Sequence, residues 1–139
     1  MNRFTAQKKL AILWFINSGI IGLLFLILSL TGKFGDRAND GLQWYSQNIV
    51  PTLTLMIGTF SAFSGSPSPE IIIDRFYFHL SYNISIFYLL TLYLIIFSGP
   101  FIFNSNETSF VDLLNSSKIY LSVFQGIVTF SLGLFFSKK

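Results

Sequence analysis

The chain of 139 residues contains no cysteine and few charges. Without cysteine there is no disulfide, no thiolate metal ligand and no thiol nucleophile. Charged residues make up 11% of the sequence, against about 25% in a typical soluble domain. The net charge of +3 is too small to indicate nucleic-acid binding. This composition excludes a globular surface covered with polar groups.

Signatures of cofactor and catalytic sites are also missing. His79 is the one histidine, which excludes a bis-histidine haem and leaves zinc without a second nitrogen or sulfur ligand. The ten glycines are scattered, and none precedes the Lys-Ser/Thr pair of a phosphate-binding loop. No nucleophile-elbow pattern is present. We therefore predict no catalytic residue, cofactor or metal.

Long apolar segments are what the sequence does contain. Hydrophobic residues make up 52% of it, including seventeen phenylalanines. Because a membrane helix needs about 20 apolar residues, the sequence predicts an all-α integral membrane protein, a single domain over 1–139. Its expected four-helix bundle has spans at about 10–30, 42–64, 76–97 and 119–136. The first run is longer than the 7–15 residues of a signal-peptide core.

The second span has the weakest apolar pattern. Its apolar core, Ile49–Phe63, is short for a bilayer of ~30 Å. Extension back to Leu42 places Trp44 at an interface and Pro51 inside the helix. The alternative is a re-entrant or interfacial segment. The stretch 104–117 is expected to be a polar loop before the fourth span.

The distribution of Lys and Arg predicts the orientation. Four alternating spans place six basic residues on the side of the two termini and three on the other. The six are Arg3, Lys8, Lys9, Arg75, Lys138 and Lys139, and the three are Lys33, Arg37 and Lys118. The N- and C-termini are therefore expected to be cytoplasmic, in a multi-pass protein of the bacterial inner membrane.

Polar residues inside the spans form a first candidate site. Asn17, His79 and Asn83 are predicted at similar depth in the cytoplasmic half, and His79 and Asn83 are four residues apart on one helix face. They are a candidate polar membrane cluster or water path. The alternative is that they form interhelical hydrogen bonds, which only fix packing.

Small residues at four-residue spacing form a second candidate. They are Thr54, Gly58 and Ala62 in the second span and Thr129 and Gly133 in the fourth. Small residues let membrane helices approach closely. The stripes therefore predict either packing within the bundle or contact with a second copy in a homo-oligomer.

The connection between the second and third spans is a candidate partner-binding loop. Pro67 and Pro69 stiffen it, and Glu70, Asp74 and Arg75 add charge. A cytosolic partner protein would meet this loop. The alternative is a plain tight connection held at the membrane surface by its isoleucines.

In architecture the chain resembles the small four-span membrane subunits of bacterial phage-defence systems, such as the KwaA component of Kiwa. The resemblance covers the whole chain as four spans, short loops and basic cytoplasmic ends, and it carries over no residue. It implies a homo-oligomeric sensor or anchor that recruits a cytosolic effector. We therefore expect a non-enzymatic membrane subunit in anti-phage defence. The alternative is a pore-forming, holin-like protein or small transporter.

Overall fold

The computed structural model describes residues 3–63, 74–99 and 107–137, and these form four α-helices and one turn. The helices are α1 (Arg3–Leu30), α2 (Ala38–Phe63), α3 (Arg75–Phe97) and α4 (Glu107–Ser137), and a 3-10 turn at Gly35–Arg37 joins α1 to α2. No strand occurs in the described residues. The predicted all-α class is confirmed.

Three of the helices have the length and composition of membrane spans. They are Phe4–Leu30, Arg75–Phe97 and Phe110–Leu134, and most of each is not buried within the bundle. Most of their exposed side chains are large and apolar, as is typical of contact with lipid. Three such helices are typical of a multi-pass membrane protein. The fourth helix, α2, is also long enough at 26 residues, but it is less apolar.

The helix bounds follow the sequence predictions for α3 and differ elsewhere. The predicted span 76–97 lies within one residue of α3, whereas α1 begins seven residues before its predicted span. α2 is one continuous helix with Pro51 inside it, and this differs from the broken helix of a re-entrant segment.

The loop expected at 104–117 is helical from Glu107 onward, so that expectation is wrong there. Phe110, Val111 and Leu114 recur at helical spacing and are buried. They place this first part of α4 against the bundle. Polar residues before and after this short apolar group, at 104–109 and 115–118, hid the pattern in the sequence.

The four helices form an up-and-down bundle. α1 packs against α2 and α3, and α4 packs against the same two helices, so α1 and α4 are diagonal partners, as are α2 and α3. The start of α1 and α3 and the end of α2 and α4 share one end of the bundle, which we call the termini end. The opposite end, with the turn between α1 and α2, is the turn end.

Backbone geometry and aromatic rings close the turn end. Gly32 adopts a φ of 72°, and the backbone N–H of Lys33 donates to the Leu28 carbonyl at 3.0 Å, which ends α1 as a Schellman motif. The chain then returns so that the Phe34 ring packs on the backbone of Gly41, where a Cβ would lie 2.7 Å from the ring.

The Phe34 ring belongs to an aromatic stack that joins three helices. The ring centroids of Trp44 in α2 and Phe25 in α1 are 5.4 Å apart, and those of Phe25 and Phe34 are 5.6 Å apart. The Phe34 centroid lies 5.5 Å from that of Phe110 in α4. Such offset pairs add about 0.5–1.5 kcal/mol beyond area burial. The stack therefore fixes the turn against α4.

We predict that Phe34→Ala lowers the free energy of unfolding by about 3 kcal/mol, because it leaves a cavity within the stack. Thermal unfolding in detergent measures the change. Phe130 is 68% exposed, so Phe130→Ala is the matched control and should leave the midpoint nearly unchanged. Equal losses in the two variants would show that the stack has no special role.

Candidate functional site

A hydrogen-bonded polar pair lies at the centre of the bundle. The Tyr88 hydroxyl donates to the Asn48 carbonyl at 3.1 Å and lies 3.3 Å from Asn48 Oδ1. Asn48 Nδ2 in turn donates to the Trp44 carbonyl at 2.7 Å. The Tyr88 ring stacks on Trp14 of α1 at 5.9 Å. This pair connects α2 to α3 across the diagonal.

Further polar atoms are buried one helical turn from this pair. Thr52 follows Asn48 by four residues and Ser85 precedes Tyr88 by three, so both lie on the termini side of it. Among the described residues the buried polar atoms without a hydrogen-bond partner are Gln7 Nε2, Trp14 Nε1, Ser18 Oγ, Thr52 Oγ1, Ser85 Oγ and Gln125 Nε2. The core of the bundle is mainly apolar, but a small group of buried polar atoms lies near its centre.

Sequence reasoning missed this buried polar centre. Its signal was the spacing of Trp44, Asn48, Thr52 and Met56, which puts one side chain per turn on the buried face of α2. The depth of a residue along one helix does not show which face of that helix is buried. Only the packing of α2 against its neighbours shows this.

The predicted polar cluster is distributed over two grooves. Asn17 and His79 line one groove between α1 and α3, whereas Asn83 lines another between α3 and α4. Asn17 already has partners: its Nδ2 donates to the Leu13 carbonyl at 2.7 Å, and its Oδ1 accepts from Tyr93 at 3.2 Å. His79 and Asn83 are both exposed. The structure therefore brings together two of the three residues.

The predicted stripe on α2 faces away from the bundle. Thr54 and Gly58 are exposed, and a Cβ added to Gly58 would have no atom within 4 Å. Thr54 donates its hydroxyl to the Val50 carbonyl of its own helix at 2.9 Å. On α4, Thr129 and Gly133 are half-buried, and Gly133 also has open space at its Cβ. The Ala62 side chain lies outside the described residues.

Part of the candidate partner-binding loop can be placed. Pro67, Pro69 and Glu70 lie outside the described residues. Asp74 is exposed and caps α3, because its side chain accepts from the backbone N–H of Phe76 at 3.0 Å. Arg75 is exposed as the first residue of α3. Both residues are at the termini end.

A charged group that the sequence did not single out lies at the turn end. Arg37 donates to Asp40 at 2.9 Å and to Asp112 of α4 at 3.0 Å. These two carboxylates raise the pKa of the Arg37 guanidinium, Asp112 having the larger effect. The group is exposed, so its contribution to stability is small. It orients the start of α2 toward α4.

The described residues contain no group of three or more His, Cys, Asp or Glu side chains that could hold a metal. Comparison of the chain with protein-family models, with curated proteins and with solved structures finds no match.

We predict that Tyr88→Phe lowers the free energy of unfolding by about 1 kcal/mol, because it removes the hydrogen bond to Asn48 in an apolar setting. Tyr120 is 73% exposed, so Tyr120→Phe is the control and should unfold at the wild-type temperature. The measurement is thermal unfolding of both purified variants in the same detergent. Wild-type stability of Tyr88→Phe would contradict the assigned role of the central pair.

Proposed function

We propose that the chain is a non-enzymatic subunit of a homo-oligomer in the bacterial inner membrane. In this proposal all four helices cross the bilayer, and the outward face of α2 packs against a second copy. The observation that carries it is the unusual character of that face. Polar and small side chains occupy it, although lipid surrounds the other helices.

The contrast between the helices is clear in their exposed large hydrophobic residues. Among the side chains that the structure describes, nine occur on α1, seven on α3 and seven on α4, whereas α2 has three, Leu42, Val50 and Ile57. Between them the exposed positions of α2 include Gln43, Gln47, Pro51, Thr54, Gly58 and Ser61. These recur every three or four residues and so form one continuous stripe along the helix.

The position of Gln47 explains why contact between this stripe and lipid is unfavourable. Gln47 is exposed and adjoins Asn48, which is hydrogen-bonded to Tyr88 near the middle of α3. Since α3 has the length and composition of a span, Gln47 lies at the depth of the hydrocarbon core. An amide there lacks water and costs free energy unless protein supplies its partners.

A second copy of the chain provides such partners. A glutamine amide carries both donors and an acceptor, so two stripes can pair their own amides across a symmetric interface. Thr54 and Gly58 are small, and the Thr54 hydroxyl is already bonded within its helix. They therefore allow two α2 backbones to approach closely.

The termini end is proposed as the cytoplasmic face that recruits a cytosolic partner. Lys8, Lys9 and Arg75 are exposed there, beside the α3 cap residue Asp74. The six-to-three excess of basic residues that the sequence assigns to the side of the termini supports the orientation. The resemblance to four-span subunits of phage-defence systems supports the proposed process, in which the oligomer anchors an effector.

We predict that Gly58→Leu weakens self-association by about tenfold or more, because bulk in a close helix contact costs about 1–3 kcal/mol. Gly19 on α1 is also exposed with open space at its Cβ, so Gly19→Leu is a matched control with the same substitution. Complex mass at a series of detergent concentrations measures the effect. An oligomer that persists in both variants would argue against an α2 interface.

A pore is the second candidate, favoured by the same polar stripe. Gln43, Gln47 and Thr54 would line a water path if several copies placed α2 around a common axis. The subunit hypothesis and the pore hypothesis differ in what the purified oligomer does alone.

We expect liposomes containing the oligomer to conduct neither potassium nor chloride, while the product of a neighbouring gene co-purifies with it in fixed stoichiometry. Cells carrying both genes should then resist phage, and Gly58→Leu should remove the resistance where Gly19→Leu keeps it. Ion-flux assays, complex mass and phage plating are the measurements. Rapid flux through the chain alone would replace the subunit hypothesis with a pore.

A further inference from the structure

A groove of about 560 Å³ runs between α1 and α3 at the termini end. Its lining residues recur at helical spacing, so each helix presents one face to it. They are Lys9, Ile12, Leu13, Ile16 and Asn17 from α1, and Phe78, His79 and Tyr82 from α3. The walls are therefore apolar over most of their length, with polar groups near both ends.

The groove opens sideways to the surroundings of the bundle. Ile12 is 48% exposed and Ile16 is 56% exposed, whereas Phe78 is only 7% exposed and forms the floor of the groove. Because α1 and α3 have the length and composition of spans, this opening faces the acyl chains of lipids. From Lys9 to Asn17 the groove covers about 12 Å of helix axis. This is close to half of a hydrocarbon core of ~30 Å.

The charged end of the groove lies where a lipid headgroup would be. Lys9 and His79 are both within the first two turns of their helices and both exposed. They therefore lie near the membrane surface at the termini end. The ammonium of Lys9 is a phosphate-binding point charge, and the His79 imidazole adds a hydrogen-bond donor. Lys8 and Arg75 are further cations at the same end.

A second groove on the same helix provides an internal comparison. It lies between α3 and α4, has about 280 Å³, and is lined by Asn83, Ile84, Phe87, Tyr88, Phe124, Ile127 and Val128. No cation lines it. Both grooves have apolar walls that could contact an acyl chain. Of the described lining residues, only those of the first groove include a cation, Lys9, that could bind a phosphate.

We propose that the groove between α1 and α3 binds one anionic glycerophospholipid of the leaflet at the termini end. An acyl chain lies along Ile12, Leu13 and Ile16, and the phosphate contacts Lys9 with His79 beside it. Basic pockets between membrane helices are known to hold anionic headgroups in this way. The proposal requires α1 and α3 to lie in the bilayer, and it is independent of the interface on α2.

The test titrates the purified protein in neutral detergent with phosphatidylglycerol or phosphatidylcholine of identical acyl chains. Native mass spectrometry counts bound lipids, and thermal unfolding reports stabilisation. Phosphatidylglycerol should bind with a stoichiometry of one per chain and raise the unfolding temperature more than phosphatidylcholine. Inorganic phosphate and glycerol phosphate should give no stabilisation, since they lack the acyl chain.

Charge variants locate the headgroup. Lys9→Gln should weaken phosphatidylglycerol binding about fivefold, and Lys9→Arg should restore it. Lys33 is exposed at the turn end, so Lys33→Gln is the matched control and should bind as the wild type does. Equal binding of the two lipids, or an equal effect of Lys9→Gln and Lys33→Gln, would overturn the proposal. Full stabilisation by glycerol phosphate would instead show a site for a soluble phosphate.

Discussion

Inside a bilayer a polar atom has no water to bond, so protein must supply its partner. The Tyr88–Asn48 hydrogen bond meets this requirement at the centre of the bundle, where it connects the diagonal helices α2 and α3. Trp44 Nε1 also donates to Ser117 Oγ at 3.0 Å. The Ser81 and Ser131 hydroxyls are 2.9 Å apart. These contacts join α2 to α4 and α3 to α4, and they fix which face of each helix is inward.

The same constraint applies to the polar residues that face outward. On α2 the inward face, with Asn48 and Thr52, is covered by the other three helices, whereas none of the described residues covers the outward face. In the proposed oligomer, a second protein surface supplies the hydrogen-bond partners of the exposed Gln47 amide. The groove lined by Lys9 and His79 differs, because its polar end lies near the membrane surface. There, lipid phosphate groups and water can serve as hydrogen-bond partners. We therefore propose a second copy at the outward face of α2 and a lipid in the groove between α1 and α3.

Much of the fold could be predicted from the sequence, because uninterrupted apolar runs mark the spans. The bounds of α3 were predicted to within one residue, and Pro51 was correctly placed inside α2. The start of α4 was missed because the short apolar group 110–114 lies between two polar stretches, 104–109 and 115–118. Its burial also involves the distant Phe34, whose ring packs on Phe110. The spacing of His79 and Asn83 predicted a shared helix face, but the two residues line different grooves, because spacing alone cannot give the direction of that face. For the same reason the buried role of Tyr88 could not be derived from its own helix.

The absence of cysteine makes a direct test of the α2 interface possible in native membranes. Single-cysteine variants at Thr54 on α2 and at Leu23, which is 63% exposed on α1, differ only in the face they label. After mild oxidation, Thr54→Cys should form a disulfide-linked dimer on a non-reducing gel, because two α2 helices meet there, and Leu23→Cys should remain monomeric. Dimers of Leu23→Cys with none of Thr54→Cys would contradict the account.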